Sequence, residues 1–428
     1  MTYADWVWRP LGELFEIGAG QTMSSGAREG ADKIPFLRTS NVMWDRLDLS
    51  TVDQMAIPPH ELQGKLLQPG DLLVCEGGEI GRAAVWNGPI ERCSFQNHLH
   101  RLRPRLNSVE PRFYVYFLQS AFTQLGIFEG AGNTTTIPNL SRNRLAALRV
   151  PHPPVEEQRD IIRALATVRS AIDMHRRGAS LTDELKRTAM VRLFTRGRRD
   201  EASKDSAVGA VPDSWTVTPL EAHHSVTTGA TPSRGNPAYW TAGTIPWVKT
   251  TEIQYRLIVD TQERITDLAL HVCSVCLLPP GTLLLAMYGQ GVTRGKVAVL
   301  GIEATCNQAC AAINASDASV DPRYMYHFLT YRYDEIRQLA HGGQQQNLNL
   351  NLVRSVPMAF PKDLTEQREI AAVLDCIDSK IDLHTQRLAR LGELFASLLS
   401  KAMTGAVGAD DFDTSALADL TALDEPAA

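Results

Sequence analysis

The chain has 428 residues, 44% of them hydrophobic and 21% charged, with a formal net charge of −5. These proportions are those of a globular protein of two to three domains, and no apolar run approaches the ~18 residues of a membrane span. The acidity argues against a nucleic-acid binder only until it is located: residues 405–428 hold six acids and no base, so the remainder sums to +1, and a near-neutral body with locally basic faces can bind DNA when partners supply charge.

The start, MTYADWVWRP, has no basic stretch followed by an apolar core, so no secretory signal is expected. A cytoplasmic location follows, with the seven cysteines as reduced thiols. Residues 1–155 read as a mixed α/β unit. A strand is expected over Asp71–Cys75 after the Pro69-Gly70 turn, and a helix packed on a sheet over 111–127, where aromatic and aliphatic residues alternate at helical spacing. A long helix follows over 156–197, with an apolar seam at Ile161, Leu165 and Ile172. Beyond it, Leu181, Leu185, Val191 and Phe194 keep apolar content without a clean register. Residues 198–213 are polar and breaker-rich, and read as a linker.

Residues 214–363 read as a second α/β unit, with a strand over Thr282–Ala286 after Pro280-Gly281 and helical spacing over 322–340. The second long helix, 364–404, has the clearest pattern. Ile370, Leu374, Ile377, Ile381, Leu388, Leu391, Phe395 and Leu398 recur at alternating steps of four and three, with His384 at the one polar seam position, as in a coiled coil. Thr365 is a candidate N-cap. At ~1.5 Å per residue this helix is roughly 60 Å long and needs a partner helix to cover its seam. The tail, 405–428, is expected to be disordered.

That partner lies in the same chain. EQRDIIRALATVRSAIDMH (157–175) and EQREIAAVLDCIDSKIDLH (366–384) match at polar and apolar positions alike. The repeat extends outward: Trp6, Pro10, Leu11 and Gly20 correspond to Trp215, Pro219, Leu220 and Gly229; IPFLRTSNV (34–42) to IPWVKTTEI (245–253); LLQPGDLLV (66–74) to LLPPGTLLL (277–285); PRFYVYFL (111–118) to PRYMYHFL (322–329). Each half closes with a polar stretch, AGNTTTIPNL (131–140) or GGQQQNLNLN (342–351), then prolines and the helix. The chain is a tandem duplication of a unit of roughly 150 residues plus a long helix.

This order resembles the specificity subunit of type I restriction-modification systems. The residues carrying the likeness are Pro151, Pro153, Pro154, Glu157, Gln158, Arg159 and Ile161 in the first half, and Pro361, Glu366, Gln367, Arg368 and Ile370 in the second. The resemblance implies an α+β fold of two target-recognition domains joined by two long helices in an antiparallel coiled coil. It implies that each domain reads half of a bipartite DNA target and that the chain has no catalysis of its own. The implied partners are double-stranded DNA, two methyltransferase subunits and two restriction/translocase subunits, with S-adenosylmethionine, ATP and magnesium used by those partners and no cofactor or metal in this chain. A subunit without its partners should be poorly soluble or bind DNA weakly.

Base reading needs paired donors and acceptors, Arg toward guanine and Asn or Gln toward adenine. The candidates in the first unit are Arg38, Thr39, Ser40 and Asn41; Gln96, Asn97 and His98; and Asn133, Thr134, Thr135, Thr136 and Asn139. In the second they are Lys249, Thr250 and Thr251; Asn307 and Gln308; Gln344, Gln345, Gln346, Asn347 and Asn349; and, on a glycine-punctuated loop, Tyr288, Gln290, Arg294 and Lys296. The competing account of each is a polar turn. Arg101, Arg103 and Arg105 alternate along a strand and suit phosphate, although a solvated strand face looks the same.

Enzymatic signals are weaker. GQGVTRGKV (289–297) lacks the first glycine and the hydroxyl residue of a phosphate loop. EGAG (129–132) and NPAY (236–239), which imitate methyltransferase motifs, fall in different units. Cys273, Cys276, Cys306 and Cys310 have zinc-like spacing in one copy only, against a reading as small apolar side chains. His175 and His384 share a heptad position and are expected as core or solvated residues. Two other classes stay open: a self-contained DNA-modifying enzyme and a coiled-coil interaction scaffold.

Overall fold

The computed structural model describes residues 6–126, 140–289, 292–341 and 347–406. They form two compact units, one of Met1–Arg176 with Gln386–Ala428 and one of Arg177–Thr385. The divisions fall inside the two long helices, Val155–Arg196 and Leu364–Met403.

In the first unit, four antiparallel strands run in the order Phe15–Ala19, Leu99–Pro104, Leu72–Cys75, Ala83–Val85. A second sheet places Lys33–Leu37 between Asp53–Ala56 and Ser94–Phe95, and Val7–Pro10 pairs with Arg149–His152. The expected strand is there, entered through Gly70 at φ +91°, where a glycine adopts the turn freely. The helix Pro111–Thr123 buries Phe113 through Leu118 without a break. An all-round apolar helix must be enclosed, and here the sheet and both long helices enclose it: Ile161, Leu165, Val168 and Ala171 share its core with Leu391, Phe395, Leu399 and Met403.

The second unit repeats this plan. His224–Thr228, Cys310–Ala315, Leu283–Ala286 and Val297–Leu300 lie in the same order, extended by Leu257–Ile258, and Ile245–Val248 sits between Glu263–Ile265 and Thr305–Cys306. The helices Pro322–Tyr331 and Tyr333–Gln338 divide the expected helical stretch. In this unit the long helices run antiparallel: Gly178 faces His384, Lys186 pairs with Asp378, and Gly197 lies against Glu366.

The seam differs in detail from the heptad reading. Ile370, Leu374, Leu391 and Phe395 are buried, whereas Ile172, Ile377, Ile381, Leu388 and Leu398 are half-buried. Leu399 takes the inner place next to Leu398. Leu181, Leu185 and Val191 are 66, 56 and 52% exposed, and Met190, Leu193 and Phe194 face the core instead. Thr365 is not the cap: its amide is accepted by Asp363 Oδ1 at 2.8 Å, one residue before the helix. The expected linker contains a hairpin, Ser203–Ser206 with Gly209–Pro212, that buries Val208 and Val211. The tail reading concerns residues that, from 407 onward, lie outside the described ones.

Candidate nucleic-acid interface

Each unit brings its separate polar segments to one end of its sheet. In the first, the Gln96 amide bonds Leu37 O at 2.9 Å, which joins the 38–41 segment to the 96–98 segment. The Glu76 amide bonds His98 O and the Leu140 amide bonds Glu76 O, both at 2.9 Å, adding the 76–82 loop and the end of the third segment. Arg82 Nη2 reaches Thr39 O at 3.3 Å. In the second unit the equivalent bonds recur: Asn307 N to Val248 O at 3.0 Å, Met287 N to Ala309 O at 2.8 Å, and Leu348 N to Met287 O at 3.1 Å.

A further strand of backbone is drawn into each cluster by a glycine. A Cβ on Gly20 would lie 2.2 Å from Gln96 O, and one on Gly229 would lie 1.8 Å from Cys306 O. Only a residue without a side chain fits there.

Within the clusters the candidates divide. Ser40, His98, Thr251, Tyr288, Gln308 and Asn347 are exposed, and Thr39, Gln96, Asn97, Thr250 and Arg294 are half-buried at the same end. Arg38 pairs with Asp53 at 2.6 Å and Lys249 with Glu263 at 2.7 Å, a duplicated ion pair that holds each cation at the cluster. Lys296 Nζ bonds Gln254 Oε1 at 2.5 Å. Asn133, Thr134, Thr135, Thr136, Asn139, Gln290, Gln344, Gln345 and Gln346 lie outside the described residues.

Several candidates are instead used by the fold, for a physical reason in each case. Asn41 is 6% exposed: Oδ1 accepts the Arg38 amide and Nδ2 donates to Asp48 O and Thr51 O, all at 2.8–2.9 Å. Glu252 occupies its place in the second unit, accepting the amides of Lys249 and Gln262. Asn307 Oδ1 accepts the Ala309 amide at 3.1 Å, and Asn349 caps the short helix Leu350–Arg354. Arg101 is 3% exposed, with Nη1 on Gly64 O and Nη2 on Glu16, so it cannot reach a phosphate. Burial lowers its pKa. Arg103 forks onto the buried Asp71 carboxylate at 2.7 and 2.8 Å. Arg105 is exposed but follows the far end of that strand, its amide on Leu14 O.

Arg82, Gln21, whose carbonyl accepts the Asn97 amide at 3.0 Å, Gln254, which holds Lys296, and Arg234, paired with Glu263, lie at these ends too and are not among the sequence candidates. The first had a usable signal, since LLVCEGGEIGR (72–82) parallels the loop already singled out at 287–296.

The four cysteines do not gather into one cluster, although Cys306 and Cys310 bond to each other. Cys306 and Cys310 are buried, Cys310 Sγ lies 3.1 Å from Asn307 Oδ1, and Cys276 is exposed. Among the described residues no group of three or more His, Cys, Asp or Glu could hold a metal. His175 and His384 are both buried. No helix of the described residues is long and apolar enough to cross a membrane.

The sequence model of the family described as "Type I restriction modification DNA specificity domain" matches residues 3–181 and again 212–393. The type I restriction enzyme MjaX specificity subunit of Methanocaldococcus jannaschii is 24% identical over 414 residues, covering 94% of both chains. The type I restriction-modification S subunit from M. genitalium superposes with a TM-score of 0.61 at 15% identity, covering 93% of this chain and 96% of that one. A chain from a structure of "complex assembly and conformational transition of the type I R-M system" gives 0.58 at 17% identity, over 95% and 100%. At these identities the two structures speak to the fold.

Proposed function

We propose, from the premise that the chain belongs to the type I restriction-modification DNA specificity family, that each unit reads its half of a bipartite, asymmetric DNA target through the polar end of its sheet. The chain is the sequence-specificity component of such a system. The observation that carries the residue-level reading is the convergence, in both units, of the same three segments around the Gly20 and Gly229 approaches, with different side chains displayed. Ser40, His98 and Gln96 on one unit, and Thr251, Gln308 and Tyr288 on the other, present different donor and acceptor sets, which is what an asymmetric target requires. Arg38 and Lys249 supply charge beside them.

The chain itself is non-catalytic in this reading. Methyltransferase and restriction subunits, two of each, bring S-adenosylmethionine, ATP and magnesium. Leu181 and Leu185, one turn apart and exposed on the first long helix, are apolar surface of the kind a protein partner covers. The long helices would set the spacing between half-targets.

The test is methylome sequencing of cells expressing this chain with a type I methyltransferase subunit. A two-part methylated motif with a fixed gap is expected; methylation at a single continuous site, or none that depends on this chain, would contradict the proposal.

A further inference from the structure

We infer that Arg234 is a base-reading residue of the second unit, a guanidinium fork set in advance to engage the paired acceptors of a guanine edge. The inference rests on the DNA-reading assignment above and names a residue for it. Arg234 belongs to the loop that follows Gly229 into the polar cluster. The Ala230 amide bonds Cys306 O at 3.0 Å, Thr228 Oγ1 bonds Gln308 O at 3.0 Å, and the Thr231 hydroxyl bonds the Gln308 side chain. The loop therefore lies against the 306–308 segment of the site.

Its guanidinium is held on two sides. The carbon Cζ sits 3.8 Å above the Trp240 ring and 4.8 Å from the Trp247 ring. Both indoles are themselves fixed, Trp240 Nε1 on Ser233 O at 3.1 Å and Trp247 Nε1 on Ala230 O at 3.0 Å. Arg234 Nη1 pairs with one oxygen of Glu263, whose other oxygen takes Lys249 Nζ at 2.7 Å. Bonds from Lys249 and then Arg234 hold the Glu263 pKa below its usual value. Two cations thus share the Glu263 carboxylate.

The side chain is still 51% exposed, and its Nη2 and Nε have no partner among the described residues. A stacked, planar fork with free donors matches the O6 and N7 acceptors of guanine, and it loses little freedom on binding. A phosphate can take the same fork but carries no base preference, and that difference is what the duplex probe below reads. The platform is particular to the second unit, since Phe36 stands in the first where Trp247 stands in the second. The effect should therefore be confined to one half of the target.

The experiment uses the full chain assembled with a methyltransferase subunit, probed with duplexes randomised one position at a time across both half-targets. Arg234→Lys keeps the charge and removes the fork; Arg234→Ala removes both. Both should lose a guanine preference at one position of the half read by the second unit, weakening cognate binding roughly 10- to 100-fold, with the other half unchanged. Glu263→Gln, which frees the guanidinium without deleting it, should give a smaller loss at the same position and guards against a fold defect in the Arg234 variants. Retention of every base preference overturns the inference, whether binding is unaffected or falls equally for all sequences with a salt slope shallower by about one. If the unaltered complex reads no two-part target, it is the functional assignment that fails; a two-part target with Arg234 indifferent sinks only the present inference.

Discussion

The Oε1 atom of Gln158 accepts the backbone N–H of Glu110 at 2.9 Å, while its Nε2 donates to Ser108 O and Pro153 O. Gln367 makes the same three bonds, accepting Asp321 N at 2.7 Å and donating to Ser319 O and Pro361 O. Both glutamines are fully buried. The flanking residues of the duplicated Glu-Gln-Arg motif add to the latch: Glu157 accepts the Trp6 indole at 3.2 Å, Arg159 pairs with Glu110 and Arg368 with Asp321. The motif fastens the first turn of each long helix to the turn that starts the buried helix of its unit. Gln158→Ala or Gln367→Ala strands a backbone amide and two carbonyls, so each should cost about 2–4 kcal/mol. Denaturant unfolding measures this, and a loss below roughly 0.5 kcal/mol would contradict the latch, because that is the scale of an ordinary surface change.

The glycine approaches make a second prediction. Gly20→Ala and Gly229→Ala push backbone apart at the polar ends, for about 1–3 kcal/mol each by the usual cost of overpacking. Each should also degrade recognition of one half-target only. Gly392 is the control: it lies in the second long helix with nothing within 4 Å of an added Cβ, so Gly392→Ala should raise stability by about 0.5–1 kcal/mol. Melting temperatures of the three variants separate these outcomes, and a stabilising Gly229→Ala would refute the close approach.

Acid should weaken both units through one histidine each, the half-buried His152 in the first and the buried His224 in the second. Burial lowers the pKa of His152, held between Tyr114 Oη at 2.7 Å and Ser108 Oγ at 3.2 Å, and that of His224. A depressed histidine is neutral in the fold, so the unfolded state takes up protons first. Its contribution is complete above the unfolded value of about 6.5 and is lost as pH falls through the folded one. Stability should decline below about pH 6.5, and His152→Asn with His224→Asn should flatten that decline. Unfolding midpoints across pH 5–8 check it; an unchanged slope in the double variant would be the contrary result.

Thiol reactivity should sort by burial. Burial pushes the Cys75 thiol up to about 11 and Cys93 to about 12, and Cys310 is raised well above its ordinary value by its bond with Cys306 and by burial. Iodoacetamide at pH 8 should label the exposed Cys276 and Cys376 first, and the four buried cysteines only on unfolding. Added zinc should not protect Cys276, and protection seen by mass spectrometry would reopen a metal site.

The duplication was legible because both copies carry the same polar letters at the helix start. What those letters do was not, because the carbonyls that Gln158 meets belong partly to a turn some fifty residues earlier. The alternation of Arg101, Arg103 and Arg105 suggested an open face, but Arg101 and Arg103 sit on a strand with neighbours on both sides and pair with Glu16 and Asp71, while Arg105 lies past its end. Asn41, Asn307 and Asn349 show why polar loop residues mislead: the amide that suits adenine also suits a cap or a turn. The loop positions were identified as a set, and their convergence at one end depended on sheet order, which local pattern does not encode. Leu181 and Leu185 disturbed the seam because they face away from it.

The most direct measurement is a domain exchange: residues 1–155 replaced by those of another member of the family, with methylome sequencing of cells that also express the methyltransferase subunit. Two independent readers predict that one half of the motif changes and the other half and the gap persist. A motif that is unchanged, or altered in both halves, would contradict the assignment of one half-target to each unit.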